Sequence, residues 1–200
     1  MKQFYEKKEK KIKNKYLSNN NKLFKNLLNS NSHFGYNIKD SNPKSFNYVY
    51  GKRNNQLILD LDFTAHSLKR SFLMISKLLK RKKKILIVCN DLKTQFLKKE
   101  LINSSIEKQV EFITQRWSGG FITNPLLLGN RLKNISLVIS FNDTEDDLVI
   151  KEATKKKIPL ISVSNVNIDP NLINYPILMN HNNIKSIFFL IFLFKKYLNI

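Results

Sequence analysis

Ile85-Leu86-Ile87-Val88-Cys89 is the stretch from which the architecture is read. Five apolar residues without a polar break describe a strand buried on both faces, as in a parallel sheet covered by helices; a strand with one wet face would alternate. Upstream, Leu68, Phe72, Ile75, Leu78 and Leu79 form an apolar stripe at helical spacing beside Lys69, Arg70, Lys77 and Lys80, with Thr64 as the expected cap. Downstream, Leu92, Phe96, Leu97 and Leu101 predict a helix over Asp91 to Asn103, and Val110 to Thr114 a short strand. A strand over Ile135 to Ser140 follows. Then come a helix opened by Thr144, Glu145 and Asp146 and running to Ala153, a strand over Leu160 to Val163, a turn over Asn165 to Pro170, and a closing helix over Ser186 to Leu198. Alternating strands and helices mean an α/β fold.

Toward the amino terminus the pattern changes. Residues 1–22 are rich in Lys and Asn and read as a basic, extended arm, and residues 23–200 as a single α/β domain. Leu23, Phe24, Leu27 and Leu28 predict a first helix closing near Asn29 to Ser32. His33-Phe34-Gly35-Tyr36, Asn42-Pro43-Lys44 and Tyr48-Val49-Tyr50-Gly51-Lys52-Arg53-Asn54 carry loop punctuation interleaved with aromatic and cationic residues. Gln56 to Asp62 reads as a strand after a turn at Lys52 to Asn55.

The charge narrows the partners. Thirty-five Lys and Arg against 15 Asp and Glu give a formal +20 over 200 residues, which calls for a polyanion, with nucleic acid first and an anionic membrane surface second. The one cysteine, Cys89, permits neither a disulfide framework nor a cysteine-based zinc site, and His33, His66 and His181 lack metal-ligand spacing. No metal or cofactor is expected. Met1 to Tyr16 lacks the apolar core of a secretory signal, and Glu6 and Glu9 argue against a cleaved mitochondrial presequence. Ile187 to Phe194 is far shorter than the roughly 20 residues of a spanning helix, so it reads as a buried terminal helix without membrane insertion. Bias toward Asn, Lys, Ile, Phe and Leu is what an AT-rich genome writes, which suits an organelle-encoded chain.

Gln115 to Asn124, Gln-Arg-Trp-Ser-Gly-Gly-Phe-Ile-Thr-Asn, holds the only Trp beside an Arg and two consecutive glycines. Paired glycines open backbone conformations closed to other residues, Arg116 offers a planar fork for phosphate, and Trp117 offers a stacking face. A tight loop with a buried Trp and a solvated Arg explains the same residues.

Arg116-Trp117-x-Gly119-Gly120-x-x-Thr123-Asn124 resembles the signature loop of the small-subunit ribosomal protein S-two family. His33-Phe34-Gly35, Asn42-Pro43-Lys44 and Gly51-x-Arg53-Asn54 are similar to further family elements in the same order; Tyr36 stands where a second histidine is usual. Asp169-Pro170 and Tyr175-Pro176-Ile177 match more loosely, Asn180 and Asn183 fit the family's Asn-rich helix start, and the resemblance spans about His33 to Tyr197. Bacterial members usually insert a long helical hairpin after the Trp loop. Here Pro125, Gly129 and Asn130 lead straight to Ile135, a layout closer to the compact members.

The resemblance implies a three-layer α/β/α domain with a mostly parallel, flavodoxin-like five-stranded sheet. It also implies a structural role in the small ribosomal subunit, with small-subunit rRNA and neighbouring ribosomal proteins as partners and no small-molecule substrate. The expected RNA-contact residues are Lys44, Lys52, Arg53, Arg116 and Trp117, with Arg81, Lys82, Lys83 and Lys84 as a supplement. Those expected to shape loops are His33, Gly35, Gly51, Gly119, Gly120 and Asn124. A nucleotide-using enzyme is the competing class. It would need a glycine-rich phosphate loop that the chain lacks, and an acidic cluster of Asp143, Glu145, Asp146 and Asp147 is better read as helix capping than as a metal site. No catalytic residues are expected. A basic membrane-associated or DNA-binding protein is the third class. The expected location is a mitochondrial ribosome, with a plastid or a bacterial cytoplasm as alternatives.

Overall fold

The computed structural model describes residues 22–89, 109–115, 117–124, 134–141 and 148–198. The basic arm up to residue 21, the expected helix at Asp91 to Asn103, Arg116 and the acidic cluster Asp143 to Asp147 lie outside the described residues.

Five strands form one sheet: β4 (Lys84–Val88), β5 (Val110–Ile113), β6 (Ile135–Phe141), β7 (Leu160–Ser164) and β8 (Tyr175–Leu178), in the order β5-β4-β6-β7-β8. Every pairing is parallel. Counted from β4, this is the flavodoxin-like order, in which the chain winds one way to β5 and the other way through β6 to β8. Successive side chains of β4 enter opposite layers. Ile85, Ile87 and Cys89 join the core on one face, and Leu86 and Val88 the core on the other. The same division separates Leu137, Ile139 and Phe141 from Val138 in β6. The run around Ile85 is continuously apolar because both of its faces are covered.

The first face is covered by α1 (residues 22–29), α2 (Leu61–Lys80) and α4 (Ile184–Leu198), and α3 (Leu148–Lys155) covers the second. The layers are therefore helix, sheet, helix. Phe72 of α2 meets Phe194 of α4 edge-on, with ring centroids 5.0 Å apart, a geometry that aromatic quadrupoles favour. In α4, Ile187, Leu190, Ile191, Leu193 and Phe194 are buried, while Ile184, Phe188 and Phe192 remain about half exposed. Among the described residues, no helix is long and apolar enough to cross a membrane.

Two local expectations are corrected. Asp60, not Thr64, caps α2: the Asp60 carboxylate accepts the Asp62 N–H at 2.9 Å, and the strand before it stops at Leu59. Thr64 lies one turn inside, where its hydroxyl bonds the carbonyls of Asp60 and Leu178 and ties the helix to β8. Aspartate caps as well as threonine does, and burial of Leu61 starts the helix earlier. The segments read as punctuated loops are the outer strands of a second sheet. β1 (Phe34–Asn37) and β2 (Val49–Arg53) flank β3 (Gln56–Leu59) in an antiparallel arrangement, β1-β3-β2. Asn54 and Asn55, with φ of 48° and 63°, form the tight β2–β3 turn that suits the twist of paired strands. Asn tolerates this conformation better than most residues, so a strand pair was hidden in what read as loop chemistry.

Gly35 is held by packing. A Cβ there would meet the Leu57 carbonyl oxygen at 3.1 Å and the Leu57 Cβ at 3.3 Å, whereas at Gly51 and Gly119 it would meet nothing within 4 Å. Gly35→Ala is therefore expected to lower unfolding free energy by about 1–3 kcal/mol, the usual range for overpacking against backbone. Gly51→Ala and Gly119→Ala should stay within about 0.5 kcal/mol of the parent, as surface substitutions do. Urea denaturation of the three variants checks this, and equal midpoints would refute it.

Candidate nucleic-acid interface

The loop from Trp117 to Asn124 leaves the carboxyl end of β5 and folds back over α3, where Glu152 holds it. Glu152 is only 7% exposed, and its carboxylate accepts four hydrogen bonds. Oε1 receives the Trp117 indole N–H at 3.2 Å and the Gly120 N–H at 2.6 Å. Oε2 receives the Ile122 N–H at 2.8 Å and the Thr123 N–H at 3.3 Å. Burial opposes ionisation of Glu152, but the hydrogen bonds from Ile122, Gly120, Trp117 and Thr123 outweigh it and hold the pKa below its ordinary value.

Around this clamp the loop is apolar. Trp117 and Ile122 pack on Val149, Ile150 and Ala153 of α3, and the Trp117 ring lies 5.1 Å from that of Phe121. Trp117 was expected among the RNA contacts, but it is 6% exposed and its N–H is committed, so it anchors the loop and offers no open stacking face. Gly120, at φ 93°, takes the left-handed conformation that the clamp needs, and its carbonyl accepts the Asn124 N–H at 2.8 Å. Gly119 is exposed and has room for a side chain. The sequence places Glu152 in the helix that runs to Ala153 and does not reveal its partners, which lie about 30 positions earlier. The available signal was a lone carboxylate on the apolar side of an amphipathic helix.

A second junction joins the Asn42-Pro43-Lys44 and Asp169-Pro170 elements. Each Asp or Asn caps a short 3-10 turn whose first residue is proline: Asn42 accepts the Lys44 N–H at 2.9 Å, and Asp169 accepts the Asn171 N–H at 3.0 Å. The two turns meet through the Lys44 ammonium, 2.6 Å from Asp169 Oδ2. That bond comes first in holding the Asp169 pKa below the ordinary carboxylate value, against desolvation. Lys44, expected as a phosphate contact, is thus already paired, with its side chain 63% exposed. Ser45 adds a hydroxyl bond to the Val166 carbonyl at 2.7 Å.

Five of the other expected cations are exposed, in two places. Lys52 and Arg53 are exposed at the β2–β3 hairpin beside Tyr50, which is 83% exposed. Arg81, Lys82 and Lys83 are exposed past the carboxyl end of α2, while Lys84 is partly covered as β4 begins. The hairpin returns to the start of α2, and a helix of 20 residues is about 30 Å long, so α2 separates the two groups. His33 stacks on Phe34 with centroids 4.1 Å apart, its carbonyl accepts the Leu59 N–H at 2.8 Å, and burial lowers its pKa. Tyr36, at the place of the second histidine, accepts a hydrogen bond from the Asn182 amide through its hydroxyl.

Fold and surface define a class: a doubly wound α/β protein whose polar chemistry is spent on fixing loops and whose free charge is displayed on cationic tips. No group of three metal-ligating side chains occurs among the described residues, and no glycine follows β4 in Cys89-Asn90-Asp91-Leu92, where a phosphate loop would begin. A family model described as Ribosomal protein S2 matches residues 27–138 and 128–198, and the chain belongs to that family. Among its relatives is a small ribosomal subunit protein uS2 of Chlamydia abortus, 25% identical, with 82% of this chain and 74% of that protein covered. The uS2 of Chloroflexus aurantiacus is 25% identical over 80% of this chain and 85% of its own length. That of Ureaplasma urealyticum is 28% identical over 80% of this chain, which spans only 58% of that protein. The family is structural, and the chain is not an enzyme.

Glu152→Ala leaves the indole N–H and three backbone N–H groups without their acceptor; the bonds of Trp117 and Ile122 are fully buried, so unfolding free energy should fall by about 2–6 kcal/mol, since each buried unsatisfied donor costs about 1–3 kcal/mol. Near-UV circular dichroism of the single Trp should change with it. The Glu152 pKa is lower folded than unfolded, so its contribution is complete above the ordinary carboxylate pKa of about 4.3 and is lost as pH falls through the folded value. Glu152→Gln should therefore be less stable at neutral pH and lose less stability on acidification. Identical pH dependence in parent and variant would refute the clamp.

Proposed function

We propose that the chain is a structural constituent of the small ribosomal subunit, that it binds small-subunit rRNA, and that it contacts neighbouring ribosomal proteins. The observation that carries this reading is the family match across residues 27–198 of a chain with formal charge +20. Lys52 and Arg53 at the end of β2, and Arg81, Lys82 and Lys83 past α2, are exposed to solvent, where they neutralise phosphates and release counterions. Arg116, beside the clamped loop in sequence, belongs with them, and Lys44 contributes its exposed ammonium without leaving Asp169. The Glu152 clamp presets the loop, so less conformational entropy is lost when RNA docks. Residues 1–22 act as a basic arm ahead of the domain at 23–200.

The short run from Pro125 through Gly129 and Asn130 to Ile135 supports a compact form without the long hairpin. Bias of composition toward AT-rich codons favours an organellar, and first a mitochondrial, ribosome; the relatives named above are bacterial, and a bacterial cytoplasm accommodates the same reading.

Sucrose-gradient sedimentation tests the assignment: the chain should co-migrate with the small subunit. Arg53→Ala and Arg116→Ala should each lower its occupancy in purified subunits and reduce the salt slope of rRNA binding by about one. Occupancy unaltered by both substitutions would remove these residues from the interface, and a chain absent from the subunit fraction would overturn the function.

A further inference from the structure

The outer edge of the parallel sheet, at β8, carries a recess of about 300 Å³ between the first half of α2 and the two turns that begin at Pro43 and Pro170. Its wall is aromatic. Tyr48 and Phe63 lie with ring centroids 4.2 Å apart and planes tilted by 42°, and Tyr175 stands on the β8 side. Arg70 holds its guanidinium 5.2 Å from the centre of the Tyr175 ring, and His66 lies one turn earlier on the same helix. Asn174 lends its Oδ1 to the Leu160 N–H at 3.0 Å, which fixes the amide and leaves its NH₂ to donate.

The lining contains no carboxylate. Of the acids that flank lining residues in sequence, Asp169 is paired with Lys44, and Asp62, before Phe63, is exposed. Flat apolar faces, a guanidinium and an amide donor without negative charge suit a ligand that is planar, polar at its edges and anionic at one end. Those are the properties of a nucleotide taken out of its stack. An added peptide strand is disfavoured, because Pro176 removes an N–H from the middle of a four-residue edge.

We propose that this recess receives a single unstacked nucleotide of the small-subunit rRNA, its base against the aromatic wall and its phosphate toward Arg70. The proposal rests on the RNA-binding reading above and adds a point of recognition by base stacking, which charge alone does not provide. None of these residues was singled out as an RNA contact by sequence, since Tyr48, the α2 residues and Tyr175 lie far apart along the chain.

Ultraviolet cross-linking of the full chain to a transcript of the small-subunit rRNA, read by peptide mass spectrometry, tests it. A nucleotide adduct is expected on the peptides bearing Tyr48 or Tyr175. Arg70→Gln should reduce that adduct about tenfold and weaken filter binding about three- to tenfold, while adducts elsewhere persist. Arg70→Lys should stay impaired, because it keeps the charge and loses the plane. Arg70 is exposed, and an unchanged urea midpoint verifies that the variants fold. RNA bound normally with no adduct in the recess, or with one indifferent to Arg70→Gln, overturns the proposal. Protection of the recess by neighbouring subunit proteins without an adduct overturns it in favour of a protein occupant. Failure of the parent chain to bind the transcript at all counts against the RNA-binding function itself.

Discussion

One carboxylate organises the Trp-bearing loop. Glu152 is withdrawn from water, which by itself would favour the neutral acid, and it remains a good anion because four N–H groups converge on it. The bond network runs from α3 to the loop that follows β5, so it couples the helix on one face of the sheet to its far edge strand. Gly120 takes positive φ to aim its N–H, and Trp117 fills the layer above Ile150 and Ala153. Remove the anion and both the polar and the apolar parts of the loop lose their reason to lie there.

The same economy appears at the Lys44–Asp169 junction. There two short turns, each started by a side-chain cap and a proline, meet through an ion pair that is half in solvent. An exposed pair of this kind contributes little to stability, on the order of 0–1 kcal/mol. Its importance is positional, because it joins the segment before β2 to the segment after β7 and pairs the acid that precedes Pro170 of the neighbouring recess. Among the described residues, Asp60, Glu152 and Asp169 are spent on internal order, and the cations of the hairpin and of the α2 end are exposed.

Much of the architecture was legible because it rests on local physics. Ile85 to Cys89 could only be a strand covered on both sides, and the Leu68, Phe72, Ile75 stripe could only be an amphipathic helix. The second sheet was not legible, because β1 and β2 contain Gly, Asn and Lys at positions that read as turns, and their pairing with β3 depends on packing against Val166 and Leu178 far along the chain. The cap of α2 was misplaced by one turn because Asp60 and Thr64 both satisfy the capping chemistry, and burial of Leu61 decides between them.

The amino-acid sequence by itself determined the α/β class, the excess positive charge and the presence of a Trp-Gly-Gly loop with its family resemblance, since composition, periodicity and short motifs are properties of neighbours along the chain. Only the tertiary structure decided that Trp117 is an anchor, that Lys44 has a partner, that Gly120 rather than Gly119 carries the left-handed turn, and that Arg70 and Tyr175 share a recess. Each of those outcomes depends on atoms brought together from distant positions, and which donor meets which acceptor is settled only when the layers pack.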